Sequence, residues 1–176
     1  MAENGPWDST GTQQFIRPLI DNLTAVLQAG EAAVHTEVNG GESMPSYKSW
    51  RRSRWIPLVL PGQSPFPACS VIPSRTRTHK GEDGGVDEGH RIEIFIEDVG
   101  GNPDVLADSV MKRVQAAHII IERATLGALF NGFVPSKSQR PYWDIEHDYA
   151  QFIVDKSTYK QNGSLIITFT GLMEKT

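Results

Sequence analysis

The sequence predicts an α+β fold: a mostly antiparallel sheet, two main helices packed on one face, and a long β-hairpin loop. Three observations predict it. Two segments carry apolar residues at helical spacing, Thr10–Gly30 and Asn102–Leu126. Between them, Arg91–Val99 alternates Ile92, Ile94 and Ile96 with Glu93, Phe95 and Glu97, as a strand does. After the second helix, Asp148–Val154 and Ser164–Leu172 flank Asn162-Gly163, a dipeptide that favours hairpin turns. Separated helices and antiparallel strands place helices against a sheet rather than between parallel strands.

In order, residues 1–9 are polar and acidic and are read as a flexible N-terminus. The first helix presents Phe15, Ile16, Leu19, Ile20, Leu23, Val26 and Leu27 on one face. Thr10 and Gln13 fit a capping box, Gly30 fits the stop, and Pro18 casts doubt on the first turn. A strand is expected at Ala33–Val38, closed by a turn at Asn39-Gly40-Gly41. Trp55–Leu60 and Phe66–Ile72 read as short strands; Pro57 places the first at an edge, and Pro65, Pro67 and Pro73 confine the second to an edge or a short pairing. Ser74–His90, with four glycines among charged residues, reads as an extended loop at a hairpin tip. Asn102 caps the second helix, with Pro103 first and Asp104 in the first turn. Leu106, Val110, Val114, Ala117 and Ile121 form its stripe, widened by Ile119-Ile120. That width calls for burial on more than one side. Gly127 is near the expected stop, and Gly132–Pro141 is a polar connection.

The 176 residues suit a single domain, 1–176, able to bury a core without disulfides. Cys69 is the one cysteine, so an intrachain disulfide and Cys-rich zinc motifs are excluded. It lies in an apolar run and is read as a small buried hydrophobe. The net charge of −4 argues against a dedicated nucleic-acid binder. No secretory signal and no membrane-spanning run is expected, which points to synthesis in the cytoplasm.

No catalytic residue, cofactor or metal is assigned. Walker, Gly-x-Gly-x-x-Gly and Gly-x-Ser-x-Gly patterns are absent. Two clusters remain. Lys48, Trp50, Arg51, Arg52, Arg54 and Trp55 interleave basic and aromatic residues, the types enriched at protein interfaces. Stacking of single-stranded nucleic acid is the rival for them. In the loop, Arg75, Arg77, His79, Glu82, Asp83 and Asp87 are read as a surface that orders against a partner. With Glu88 and His90 the loop also holds enough donors for a divalent cation, but in no EF-hand or His-Glu-x-x-His spacing. A small metal-dependent hydrolase built on His79, Asp83, Asp87 and His90 is therefore the enzymatic alternative. His118 is expected to pair locally with Glu122, four residues on. His147, between Glu146 and Asp148, has no identifiable partner nucleophile, so a structural or interface role is expected over half of an acid–base pair.

The run Phe66-Pro67-Ala68-Cys69-Ser70-Val71, a variable loop, then His90-Arg91-Ile92-Glu93-Ile94-Phe95-Ile96 resembles the tail-terminator (tail-completion or neck) proteins of long-tailed bacteriophages. So do the helix opening Asn102-Pro103-Asp104-Val105-Leu106 and the closing hairpin Tyr149–Leu172. The resemblance covers Thr10–Leu172 in element order. It implies a virion protein made in the bacterial host cytoplasm. Six copies would form a ring on the head-proximal end of the tail tube, between the tail tube protein and a head-completion or connector protein. DNA would pass through the lumen without specific binding, which an acidic balance suits. A head–tail adaptor or head-closure protein is the alternative within the same architecture.

Overall fold

A computed structural model describes residues 13–52, 65–80, 86–131, 133–135, 142–153, 157–170 and 173–175. Helix α1 spans Gln13–Val38, and a three-residue strand β1, Ser49–Arg51, follows. Strands β2 (Ala68–Lys80) and β3 (Val86–Gly100) lead into α2 (Pro103–Arg123) and the short α3 (Leu126–Leu129). Strand β4 (Phe133–Pro135), the long β5 (Tyr142–Ile153) and β6 (Tyr159–Thr170), and β7 (Met173–Lys175) complete the order.

The main sheet runs β1-β2-β3-β6-β5, antiparallel except for the β1–β2 pair. The expected α+β architecture is therefore observed, with α1 and α2 packed against the sheet. Ile92, Ile94 and Ile96 of β3 stand opposite Ile167, Leu165 and Gly163 of β6. With Cys69, Val71 and Phe169 they form the sheet's helix-facing layer. Leu19, Leu23 and Leu27 of α1 and Val110, Val114 and Ile121 of α2 fill the core above it. The width of α2 is explained: it buries one side on the sheet and another on α1.

Several boundaries differ from expectation. Helix α1 does not stop at Gly30 but runs to Val38, so the strand expected at Ala33–Val38 is helix. The reason is periodicity: Leu23, Leu27 and the buried Val34 continue one stripe. The real stop is Gly40 and Gly41, whose φ of 70° and 94° suits glycine. Pro18 lies inside the helix without ending it.

Ser74–His90 is not a loop over most of its length. β2 and β3 stay in register from Arg75↔Arg91 to Lys80↔Val86, with an irregularity between Pro73 and Arg75. Cross-strand hydrogen bonding overrides the low apolar content of this ribbon. The pairing on the outer side of β2 is short, as its prolines predict: β1 covers only Ala68 to Ser70. Asn162-Gly163 is not a turn: both residues lie within β6, opposite Ala150 and Tyr149. The β5–β6 hairpin itself is observed, with longer strands than expected. α2 begins as predicted, and the Asn102 side chain accepts from the backbone N–H groups of Asp104 and Val105. It ends at Arg123, and Gly127 belongs to α3. The Gly132–Pro141 connection contributes β4, which pairs with β7. The strand expected at Trp55–Leu60 and the capping box at Thr10 and Gln13 rest on residues outside the described ones or on undescribed side chains.

Candidate functional site

The Trp-Arg segment is tied down by its neighbours. Lys48 N–H donates to Pro67 O at 2.9 Å, and Ser49 Oγ donates to Pro65 O at 2.9 Å. Trp50 is half-buried and packs edge-on against Tyr47 at 5.0 Å. Its ring is thus partly a lid on the core rather than a free stacking surface. Arg52 is exposed and pairs with Asp21 of α1; Arg51 is half-buried and engaged. Lys48 is exposed. Arg54 and Trp55 lie outside the described residues.

Beneath this segment lies a polar cluster that was not legible in the sequence. Arg113 of α2 is 1% exposed. Its Nη2 donates to Pro45 O at 2.9 Å, and its guanidinium lies over the Tyr47 ring at 5.0 Å. Glu31 Oε1 accepts from Tyr47 N–H at 2.7 Å. His35 packs edge-on against Tyr47 at 5.4 Å. Together these groups pin the strap between α1 and β1 onto α2. Burial, with the nearby Arg113 charge, lowers the His35 pKa to about 4. Burial pushes the Tyr47 phenol and the Cys69 thiol upward. Cys69 is therefore a buried, unreactive thiol. The small gap among Leu27, Glu31, His35, Tyr47, Trp50, Cys69, Ala117 and Ile120 has room for about one water molecule. It is a packing defect, too small for a substrate.

The loop residues are separated by strand alternation. In the β2–β3 ribbon His79 stands opposite Asp87, and Arg77 opposite Gly89. His90 is buried and shares its row with Phe169, on the helix-facing side. His79 and Asp87 pair with each other at register positions out of phase with His90. Glu82 and Asp83 lie outside the described residues. Among the described residues, no group of three or more His, Cys, Asp or Glu side chains is placed to hold a metal ion.

One juxtaposition was missed. His118 of α2 and His147 of β5 meet, Nδ1 to Nε2, at 2.8 Å. His118 Nε2 lies 3.1 Å from Glu122 Oε1, so the expected local pair is present. If Glu122 accepts from Nε2–H of a neutral His118, Nδ1 is left as acceptor and His147 Nε2–H donates. Partial burial, and secondarily the His118 charge, lowers the His147 pKa. The trio joins the helix layer to strand β5. It has no adjacent nucleophile among its described contacts. The signal was present only as two histidines 29 residues apart, a separation that no local periodicity connects.

No known family model matches the chain, and no curated protein matches it. No helix among the described residues is long and apolar enough to cross a membrane.

Proposed function

We propose that this chain is a structural virion protein. It is a tail terminator whose copies form a ring, capping the head-proximal end of the tail tube and joining it to the head-completion complex. The observation that carries this reading is the order of elements. An apolar strand and its hairpin partner, β2 and β3, lead directly into the Asn102-capped helix α2, and the β5–β6 hairpin closes the sheet. That order is the one on which the tail-terminator resemblance rests. The polar groups also favour an architectural role. Arg113, Glu31 and Tyr47 pin a strap, and His118, His147 and Glu122 join a helix to a strand. Among the described residues each set ties one element to another, and neither sets a nucleophile beside a base.

The test is imaging. Purified protein, seen by negative-stain electron microscopy and weighed by mass photometry, is expected to form hexameric rings. Added to isolated tails lacking heads, it is expected at one end only. Binding to tailless heads instead would assign the adaptor role. A chain that stays monomeric at high concentration, and leaves both tails and heads bare, would overturn the proposal.

A further inference from the structure

Among the described residues the main sheet leaves strand edges unpaired at both of its ends. Among the described residues β5 pairs only with β6, and its other edge, Tyr142 to Ile153, has backbone N–H and C=O groups with no strand beside them. At the opposite end, β1 covers β2 only from Ala68 to Ser70. Among the described residues nothing pairs with the outer edge of β2 beyond that point. Unpaired strand edges are templates for another strand.

The two edges carry opposite charge. The outer part of β2, Arg75 to Lys80, contains Arg75, Arg77 and Lys80 and no acidic residue. β5 contains Asp144, Glu146 and Asp148 and neither Lys nor Arg. Asp144, Glu146 and Asp148 fall at alternate positions and are exposed. The register runs Asp144↔Thr168↔Arg91↔Arg75, so Arg75 and Arg77 fall in the same phase of the pleat as these carboxylates. Within one chain this face already makes such a pair: Arg91 Nη2 lies 3.3 Å from Glu146 Oε2. Asp87 and Glu88 of β3, opposite His79 and Thr78, offset two positive charges of the ribbon, while the β2 stretch itself carries no acidic residue.

Strand direction agrees. β2, β3, β6 and β5 alternate, so β5 runs antiparallel to β2. A second copy set beside the first, in the same sense, would place its β2 antiparallel to the first copy's β5. The geometry points to a second copy of this chain as the occupant. The outer edge of β5 pairs with the Arg75–Lys80 stretch of the next copy's β2, and the carboxylate row meets the arginine row. Each copy offers one edge of each kind, so the joint is head-to-tail, the type that closes into a ring. This deepens the ring reading by naming its joint and rests on it.

Charge exchange tests the joint. Asp144→Lys with Asp148→Lys, and separately Arg75→Glu with Arg77→Glu, put like charges together. Each is expected to weaken self-association on the order of tenfold or more, read by mass photometry across a dilution series. The chain carrying all four changes restores opposite charges and is expected to recover assembly. Circular dichroism checks that each variant is folded. As a second arm, cysteines replace Arg75 and either Asp144 or Asp148. Within one chain these strands are separated by β3 and β6, about 14 Å in all. A disulfide cannot span that, so oxidation is expected to give a ladder of covalent oligomers. A wild-type chain that assembles while the paired variants assemble equally well, with no ladder, overturns the joint and leaves the ring standing. A monomeric wild-type chain overturns both.

Discussion

Helix α2 meets the sheet on one side and α1 on another, and each meeting passes over a glycine. A Cβ at Gly163 of β6 would stand 2.6 Å from Val114 Cγ2 and 2.8 Å from Val110 Cγ1. A Cβ at Gly30 of α1 would stand 2.8 Å from Ile120 Cγ1. Both glycines exist to let α2 come close, and in neither case is a left-handed backbone the reason. The surroundings differ. Near Gly163 the sheet side is closed by Val110 and Val114 of α2, with the Tyr149 ring of β5 beside them. The α1 side is bordered by polar ties: Arg123 to Glu37 at 2.6 and 2.7 Å, Lys112 to Asn39 at 3.1 Å, and buried Arg113 to Pro45 O.

The comparison can be broken at Gly163 first. Gly163→Ala is expected to cost about 2–3 kcal/mol, because β-branched Val110 and Val114 have little rotamer freedom in a helix. Denaturant unfolding measures it. Val114→Ala in the same background should return part of the loss, as contacting sites couple. No loss at Gly163 would show that α2 is not seated as described.

The next effect is the pH dependence of the α1 side. His35 is neutral and buried in the fold, with its pKa lowered from 6.5 to about 4. The unfolded chain therefore binds the proton first as pH falls below 6.5, and stability drops on the order of 1 kcal/mol per pH unit down to about 4. Above 6.5 this group contributes no slope. His35→Leu is expected to flatten that acid limb in denaturant titrations at pH 7, 6 and 5. An unchanged slope would place the acid sensitivity elsewhere.

The smallest effect is expected at Gly30→Ala. The clash with Ile120 costs energy, but alanine in a helix interior returns about 1 kcal/mol. The net loss should be below about 1 kcal/mol, and smaller than at Gly163. Thermal unfolding of the two variants side by side checks the order. A larger loss at Gly30 would reverse the account of the two seams.

The elements with strong local signals were legible in the sequence. The isoleucine alternation of β3 and the Asn102-Pro103-Asp104 start of α2 depend on residues close in the chain, and local propensity and burial agree there. So did the class of fold, since two helical stripes and alternating strands leave few ways to cover an apolar face. The candidate sites were less legible. Trp50 and Arg52 were readable as surface chemistry, but only packing reveals that Trp50 leans on Tyr47 and Arg52 on Asp21.

Composition and periodicity alone determined the α+β class, the core stripe of each helix and the buried, solitary Cys69. Tertiary structure decided the meaning of Gly30 and Gly163, the burial of Arg113 and the meeting of His118 with His147. A glycine reads the same in sequence whether it turns the chain or admits a neighbour. Which of the two it does depends on helix residues far away in the chain, Val110 and Val114 for Gly163 and Ile120 for Gly30, and that contact exists only once the sheet has set where α2 lies.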